Sequence, residues 1–520
     1  MTVSTLPWGA TWPELPTFRE LAADRRVVPV VRRLLADDVT PVGLYRQLAQ
    51  GRPGTFILES AEHGAWDRWS FIGVNSRASL QARGGQARWT GDVPVGIPAQ
   101  GPVLEVLAAT LEALHTPALP GLPPLTGGLV GSLGWDVLRQ WEPRLRANAP
   151  DELDTPEVAL CLATDLAAVD HSDGSVWLIA NAINFDDTDE RVDDAHADAV
   201  ARLDAMAAAL QRPARSHAAV SVGDVAADAG LRFRTSREDF ENGVRAAKQA
   251  IRDGEVFQLV LSQRLDIDCT SDPLDVYRAL RTINPSPYMY YLQLPDEDGP
   301  GEAGSFAVVG SSPETLVKAS GGTVVTFPIA GSRPRGGSAQ EDHELAEELL
   351  ADPKERSEHI MLVDLSRNDL TKVCVPQTVE VVELMEIKRF SHIMHISSTV
   401  TGQLREGVGP LDCLVATFPA GTLSGAPKPR AIELIDDLEP ARRGIYGGTI
   451  GYFDFAGNLD MAIAIRTAYI RDGVASVQAG GGIVADSVPA LEYEESRNKA
   501  AAAVRAIQLA STLRPLPVTP

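Results

Sequence analysis

The sequence predicts an α+β protein built from largely antiparallel strands interleaved with helices. Apolar runs of strand length recur along the whole chain, and two pairs of them flank short polar turns, a pattern typical of antiparallel hairpins. Helical patterns lie between these runs and also after them. Such a mixture of strands and helices indicates an α+β fold.

The first half of the chain is predicted to consist mainly of strands. A helix is expected after residues 38–41, and an Ala-rich helix is expected over Val192–Leu210, where apolar residues recur at helical spacing. Residues 171–174 form a turn signal that predicts a hairpin. The expected strands cover residues 27–32, 55–61, 79–89, 127–133, 158–169 and 175–182.

The second half follows residues 212–232, which are interpreted as a linker because of their small and polar composition. The main boundary therefore separates residues 1–232 from residues 233–520. Residues 236–239 are predicted to open a helix that ends near Gly254. Further helices are expected over 339–350 and 353–370, and strands over 255–265, 306–310, 323–329, 448–455 and 459–468.

Composition argues against nucleic-acid and membrane binding. The chain has 520 residues and a formal net charge of −23, which disfavours a nucleic-acid surface. No apolar run approaches the ~18 residues of a membrane-spanning helix, and the N-terminus lacks the features of a secretion signal, so a cytoplasmic protein is expected. The four cysteines are scattered without paired spacing and are interpreted as packing residues.

A glycine-rich run near the C-terminus, residues 478–484, is the first candidate for a binding site. Glycines that follow an apolar strand let a ligand approach the backbone closely. A helix is expected to begin at Pro489, with Asp486 and Ser487 as candidate caps. The run and the helix together would form a pocket lined partly by backbone.

Two predicted helices each carry glutamates one turn apart, Glu355 with Glu358 and Glu492 with Glu495. Lys499 would lie on the same face as the second pair. Carboxylates gathered at a pocket repel one another unless a cation or protons lie among them, and a site of hard oxygen donors favours Mg²⁺. Because such pairs are common on exposed helices, a solvated acidic face is the alternative.

Five motifs in the second half carry the most specific signal. They are PIAGSRPRG (328–336), EHIMLVDLSRNDL (358–370), SGAPK (424–428), YGG (446–448) and AIRT (464–467). In this order they resemble the chorismate-utilising enzymes, and most closely the large, ammonia-using subunits of anthranilate synthases. The resemblance covers residues 235–510, with weaker blocks before them. It implies a fold whose largely antiparallel sheets form a β-sandwich core flanked by helices.

The resemblance also implies a magnesium site. Glu358 and Glu495 would ligate Mg²⁺, and Glu355 and Glu492 would help through water. The metal would hold the ring carboxylate of chorismate. The same four glutamates form the two helical pairs described above, for which Mg²⁺ binding was one of the two interpretations.

A second set of residues is implied to bind the rest of the substrate. Arg466 and Tyr446, with the backbone near Gly480 and Gly482, would hold the enolpyruvyl carboxylate, since arginine binds a planar anion through two hydrogen bonds. Lys499 would add positive charge near the metal. Together these groups would let a chain with a net charge of −23 bind a dianion.

Two residues are implied to move protons. Glu314 would be the general acid that protonates the departing C4 hydroxyl as ammonia adds at C2, and desolvation would raise its pKa enough for that task. His395 is the candidate for the later proton loss and pyruvate release, with a buried structural histidine as the alternative. Gly331, Ser332 and Thr422 would line the ring pocket. Many relatives carry threonine where Ser332 stands, so a methyl contact is lost there.

Two positions distinguish members of the family. Isochorismate- and salicylate-forming relatives have, at the position of Gln258, a lysine that activates water. Glutamine cannot act as a base in this way. Gln258 is counted here among the candidate catalytic residues. Aminodeoxychorismate synthases usually have a nucleophilic lysine in place of Ala330. Both positions point to anthranilate as the product, with aminodeoxychorismate synthesis as the alternative. A non-catalytic regulatory subunit would be expected to lack an acid, metal or anion group, and all are present.

A partner and a regulator are also expected. No cysteine lies in a glutaminase-type elbow, so a separate glutamine amidotransferase subunit is expected to supply ammonia within a hetero-oligomer. In the resembled family, two segments matching 58–60 and 284–289 form a tryptophan site for feedback inhibition. The candidate residues are Glu59, Ser60, Pro287, Tyr288 and Met289. The alternative is an ordinary core contact between a strand end and a loop.

Overall fold

The α+β class with largely antiparallel sheets is confirmed. The computed structural model describes residues 6–61, 68–213, 217–223, 225–226, 228–299, 304–389 and 393–516. Its long strand pairs are antiparallel, and helices lie between them in the chain. Among the described residues, no helix combines the length and the apolar character needed to cross a bilayer.

The described strands fall on both sides of the predicted boundary. They are β1 (Thr11–Trp12), β2 (Val27–Leu35), β3 (Thr55–Glu59), β4 (Trp69–Arg83), β5 (Gln86–Gly91), β6 (Gln100–Pro102), β7 (Gly128–Leu133), β8 (Val158–Asp170), β9 (Ser175–Ile183), β10 (Ala219–Ser221), β11 (Arg232–Phe233), β12 (Gln258–Asp268), β13 (Tyr288–Pro295), β14 (Ser305–Ser312), β15 (Thr315–Ser320), β16 (Thr323–Thr326), β17 (Ile329–Pro334), β18 (Glu380–Arg389), β19 (Ile393–Gln403), β20 (Gly425–Ala426), β21 (Thr449–Asp454), β22 (Leu459–Ile463), β23 (Thr467–Arg471), β24 (Val474–Ile483) and β25 (Leu513–Pro515).

The described helices are α1 (Leu15–Ala22), α2 (Pro41–Leu48), α3 (Val103–Ala113), α4 (Val192–Leu210), α5 (Arg237–Arg252), α6 (Pro273–Ile283), α7 (Ala339–Ala351), α8 (Pro353–Thr371), α9 (Pro410–Thr417), α10 (Lys428–Leu438) and α11 (Pro489–Thr512). The helix predicted over Val192–Leu210 is confirmed. α5 begins within residues 236–239 as predicted, and Ser236 caps it, because its hydroxyl accepts a hydrogen bond from the amide of Asp239.

Strands from the two halves of the chain hydrogen-bond to each other. β3 pairs with β13, and β7 pairs with β21. One hydrophobic cluster combines strand residues of both halves, among them Phe56, Cys161 and Phe306. The boundary at residue 232 stays a prediction, and the sheet extends across it.

Two predicted strands are interrupted. Residues 79–89 turn at Gly84 and Gly85, both with positive φ, so that β4 and β5 form a hairpin. Residues 459–468 break into β22 and β23 on either side of Arg466, which has a φ of 53°. The Gly84–Gly85 pair was itself an available hairpin signal, whereas the apolar residues on either side of Arg466 gave no sign of a break.

Candidate active site

Strand β24 and helix α11 form one wall of the candidate site. β24 pairs with β12 along its whole length, and Gly480, Gly481 and Gly482 lie on this strand. The turn after β24 leads directly into α11. Because this turn is short, the glutamates in the first turns of α11 lie beside the end of β24.

Each glycine of the run has a packing reason that the sequence did not reveal. A Cβ on Gly480 would overlap the backbone of β12, and a Cβ on Gly482 would overlap the side-chain amide of Gln258. At Gly481, a Cβ would lie 3.1 Å from a carboxylate oxygen of Glu492 and 3.2 Å from one of Glu495. The glycines thus make room for protein atoms, and the approach of a ligand to this backbone stays a prediction.

The predicted capping of α11 is wrong. The N-cap residue is Val488, and no side chain caps the helix there. Ser487 instead accepts a hydrogen bond from the amide of Val484, 3.1 Å away. This bond closes the turn between β24 and α11, so the hydroxyl is engaged before the helix begins.

Glu314 lies between β14 and β15 with the character expected of a general acid. Its Oε1 accepts a hydrogen bond of 2.8 Å from the hydroxyl of Thr422. Burial raises the pKa of Glu314 to about 7, against the smaller lowering effects of Thr422 and Lys499. At neutral pH a substantial fraction of this carboxyl is therefore protonated and able to donate a proton.

Lys499 connects the glycine run with the acidic helix face. Its ammonium group lies 2.7 Å from Oε1 of Glu495 and donates to the carbonyl of Gly480 at 3.1 Å. The charge of Lys499 also affects the pKa values of Glu314 and His395. The positive charge of Lys499 therefore lies beside the carboxylate of Glu495, and a metal at this place stays a prediction.

The glutamates of α8 and α11 face one another across the site. Burial raises the pKa of Glu358, and the charges of Glu355 and Glu495 raise it further. Burial likewise raises the pKa of Glu492, and the charge of Glu495 adds to this effect. Facing carboxylates that repel each other in this way suit a hard divalent cation.

The same carboxylates are partly engaged with lysines. Glu358 lies 3.7 Å from Lys354, and Glu495 pairs with Lys499. Among the described residues, no three acidic, histidine or cysteine side chains converge closely enough to hold a metal ion. The donor chemistry therefore fits Mg²⁺, while the ligation itself would require these side chains to turn away from their lysines.

Arg466 and Tyr446 lie together at the end of the broken strand. Burial lowers the pKa of Arg466, and Tyr446 and Glu495 counteract this effect, which indicates that all three groups are close. Tyr446 is buried, and burial raises its pKa. A partly desolvated guanidinium beside a neutral phenol is suited to bind a carboxylate.

His395 lies on β19 and contacts the ring-pocket segment. Its Nδ1 lies 2.8 Å from the carbonyl oxygen of Gly331, and a carbonyl can only accept, so Nδ1 carries the proton. Burial lowers the pKa of His395, and the neutral ring then has its lone pair on Nε2. Gly331 has a φ of 65°, and a Cβ there would lie 2.9 Å from a carboxylate oxygen of Glu355. The ring pocket and the acidic helix are therefore in contact.

Gln258 and Ser332 lie at the edge of this group of residues. Gln258 begins β12 and packs against Gly482, at the edge of the site. Ser332 is exposed on β17, where the strand register is irregular between Ala330 and Arg333. Of the residues predicted to line the ring pocket, Gly331 and Thr422 thus contact other site residues most directly.

The predicted tryptophan segments are adjacent. Glu59 and Met289 are partners in the β3–β13 pairing, and the amide of Ala61 donates to the carbonyl of Ser286 at 3.0 Å. The buried carboxylate of Glu59 accepts hydrogen bonds from Tyr277 and Arg281. The hydroxyl of Tyr288 donates to Asp460 at 2.8 Å. Tryptophan binding would therefore have to use Glu59 and Tyr288 alongside these partners.

Several supporting residues were missed by the sequence reasoning. His359 is fully buried on α8 and lies 2.6 Å from the hydroxyl of Ser398, and burial lowers its pKa to about 4. Lys428 donates to Asp369 at 2.8 Å and so ties α10 to α8. These residues lie within two of the five motifs, which was the available signal for their importance.

A buried ion pair supports Tyr446. Arg443 and Glu439 lie 2.7 Å apart, and Glu439 also accepts from the amide and hydroxyl of Ser262 on β12. The guanidinium of Arg443 lies 5.4 Å from the ring centre of Tyr446. Removing one partner of such a pair leaves an unpaired buried charge, and the pair therefore holds this wall of the site against β12.

The chain is similar to known proteins over most of its length. A sequence model of the family described as chorismate binding enzyme matches residues 54–505. Anthranilate synthase component 1 from Arthrobacter globiformis is 55% identical over 509 residues, which cover 97% of this chain and 94% of that protein. Component 1 from Mycobacterium tuberculosis strain H37Rv is 55% identical over 500 residues, covering 95% and 96% respectively.

A solved structure supports the same assignment. The crystal structure of anthranilate synthase component I from Streptococcus pneumoniae TIGR4 matches with a TM-score of 0.72 and 33% identity, and the match covers 85% of this chain and 94% of that one. Because the family model spans most of the sequence and relatives share more than half of the residues, this chain belongs to the chorismate binding enzyme family, as an enzyme of the anthranilate synthase component 1 type.

Proposed function

We propose that this chain converts chorismate and ammonia to anthranilate, pyruvate and water, with Mg²⁺ bound and ammonia delivered by a glutamine amidotransferase. The observation that carries the proposal is Glu314, a carboxyl whose pKa is about 7 and which is held by Thr422. It lies within electrostatic reach of Lys499. An acid of this kind is needed for loss of a hydroxyl group and is not needed for ligand binding alone.

The first half-reaction uses Glu314. Ammonia forms a bond to C2 of the ring and its nitrogen then loses one proton to solvent, the ring double bonds shift, and the C4–O bond breaks. Glu314 gives its proton to the departing oxygen, which leaves as water. Arg466 and Tyr446 hold the enolpyruvyl carboxylate during this step, and the amide of Gln258 supplies no base that would direct water to C2 instead.

The second half-reaction forms the aromatic ring. A proton leaves C2, the bond between the ring and the enolpyruvyl oxygen breaks, and the enolpyruvyl methylene carbon gains a proton, so that pyruvate is released. His395 is the candidate base, because its Nδ1 proton is held by Gly331 and its ring is neutral, with the lone pair on Nε2. The ring gains aromatic stabilisation in this step, so a weak base suffices.

Glu358 and Glu495 would hold Mg²⁺, with Glu355 and Glu492 acting through water. The bound metal would neutralise the ring carboxylate of chorismate. The chain's own contribution is to hold this carboxylate between α8 and α11 and to keep Lys499 nearby. Positive charge at this place compensates for the unfavourable long-range field of a chain whose net charge is −23.

The proposed function is tested by mixing the purified chain with chorismate, Mg²⁺ and an ammonium salt. We expect fluorescent anthranilate to appear, with an equal amount of pyruvate, each identified chromatographically. Isochorismate or aminodeoxychorismate as the main product would contradict the proposal, and so would binding of chorismate without turnover.

The amidotransferase partner gives a separate prediction. The purified chain alone should form anthranilate from ammonium salts and should form none from glutamine, because no glutaminase nucleophile is visible in its sequence. The measurement compares the two nitrogen sources at equal concentration. Adding an amidotransferase subunit encoded with this chain should then make glutamine a substrate, whereas glutamine-dependent synthesis by the chain alone would refute the prediction.

Feedback inhibition gives another prediction, which rests on the adjacency of 58–60 and 284–289. Tryptophan should inhibit the ammonia-dependent reaction, and Ser60→Arg should remove this inhibition while turnover without tryptophan stays largely unchanged. The larger side chain would fill the space for the amino-acid head group. A ligand shifts a conformational equilibrium only through differential affinity, so loss of binding removes inhibition at every tryptophan concentration.

The matched control for this variant is Ser320→Arg, which introduces the same side chain at an exposed strand end of β15. It should be inhibited like the wild type. If Ser60→Arg is still inhibited at the wild-type tryptophan concentration, the effector binds elsewhere.

A further inference from the structure

A cavity lies away from the candidate active site, lined by residues of α2 and α6 and by described residues within 209–213 and 217–218. Its volume is about 600 Å³, within the range of small-molecule sites. It is lined by Thr40, Pro41, Val42, Gly43, Arg46, Gln47, Gln50, Ala209, Arg212, Pro213, His217, Ala218, Arg278, Arg281 and Thr282. Four of these described residues are arginines and none is an aspartate or glutamate, although the chain's net charge is −23.

Two of the arginines share one carboxylate. Arg46 of α2 and Arg278 of α6 each lie 2.8 Å from the same oxygen of Asp275. Arg278 also donates to the carbonyl of His217 at 2.9 Å. Since one carboxylate balances only one guanidinium, this pair keeps a net positive charge and is held in a defined position at the cavity wall.

Of the other two arginines, Arg281 is balanced by Glu59, which does not line the cavity, and Arg212 adds a further positive charge. Arg281 lies one turn after Arg278 on α6, and its side chain is 49% exposed while its Nε donates to Glu59 at 3.2 Å. Arg212 is exposed at the end of α4. If the arginines served only to tie α2 to α6, Arg46 and Asp275 would be sufficient.

We propose that this cavity binds a small polyanion that carries two or more phosphate or carboxylate groups. Guanidinium groups bind both kinds of oxyanion through paired hydrogen bonds, and several of them around one cavity require more than one anionic group. The start of α2 also lines the cavity, and the positive end of a helix adds to the attraction.

The cavity is connected to the predicted tryptophan segments through Arg281. The guanidinium that lines the cavity is the one that pairs with the buried Glu59. A bound polyanion would compete with Glu59 for this arginine, and any resulting change in inhibition rests on the proposed function. Binding itself does not, so it can be tested without measuring activity.

The test is calorimetric titration of the whole chain with pyrophosphate and, separately, with citrate. The buffer has low ionic strength, contains no phosphate and is freed of divalent metals by resin. We expect saturable binding at one site that weakens as NaCl is added. Arg278→Gln should weaken it about tenfold, as expected for loss of a charge-assisted hydrogen bond. Arg88→Gln, an exposed arginine paired with Asp298, is the matched control and should bind as the wild type does.

The results of the titrations identify the class of ligand or overturn the proposal. Binding of pyrophosphate alone identifies a phosphate ligand, binding of citrate alone a polycarboxylate, and each supports the site. If Arg278→Gln does not fold, as judged by circular dichroism, Arg212→Gln at the exposed end of α4 decides, with a several-fold loss expected. The proposal is overturned if neither anion binds or raises the melting temperature, or if the cavity variants bind as tightly as Arg88→Gln.

Discussion

Glu314→Gln is expected to lower kcat by about 10²- to 10⁴-fold, the usual contribution of a general acid. Glutamine keeps the shape of the side chain and its contact with Thr422, and it has no proton of suitable acidity to give. The ammonia-dependent assay at saturating chorismate measures the effect. The KM for chorismate should change little, because Glu314 acts on the departing hydroxyl.

The pH dependence of the rate shows whether Glu314 acts as an acid. An acid works only in its protonated form, and burial raises the pKa of Glu314 to about 7. With free ammonia held constant, the wild-type rate should therefore fall as pH rises through about 7, and the residual rate of Glu314→Gln should not show this fall. Thr422→Val removes a hydrogen bond that lowers the pKa of Glu314, so the fall should move to higher pH.

Glu347→Gln on the exposed face of α7 is a suitable control, and it should keep the wild-type rate and pH profile. If Glu314 only positioned the substrate, Glu314→Gln would lower the rate by the same factor at all pH values. A wild-type rate for Glu314→Gln would exclude it as the acid.

Glu495→Gln is expected to abolish nearly all activity at limiting Mg²⁺. The amide keeps the size of the side chain and loses the charge that a hard cation requires, so the apparent affinity for Mg²⁺ should fall by ~10²-fold or more. Stability should change little, because the pair with Lys499 is 2.7 Å long but lies at a half-exposed position. The measurement is the rate as a function of Mg²⁺ concentration.

Glu494→Gln is the matched control for this variant. Glu494 is the neighbouring residue on α11 and pairs with Arg237 at 3.0 Å, so its loss should leave the Mg²⁺ dependence unchanged. The pKa values of Glu358 and Glu492 are raised, and protonation competes with metal binding. More Mg²⁺ should therefore be required as the pH falls. Near-wild-type turnover of Glu495→Gln at limiting Mg²⁺ would contradict the assignment.

Local patterns were sufficient for much of the fold. The repeat of apolar residues predicted α4, and the polar turn at 171–174 predicted the hairpin of β8 and β9. Such signals depend on neighbouring residues in the sequence and not on the tertiary surroundings. The break at Arg466 and the cap of α11 escaped prediction, because backbone conformation there is set by what packs against it.

The sequence by itself determined the α+β class, the family motifs and the types of charged residue at the site. The tertiary structure decided that the β3–β13 and β7–β21 pairings cross the predicted boundary, and that four arginines surround a cavity in an acidic chain. It also decided the pKa of Glu314, since desolvation depends on distant segments such as the one that carries Thr422. Residue type defines which proton can move, and only the packed surroundings determine at which pH it does.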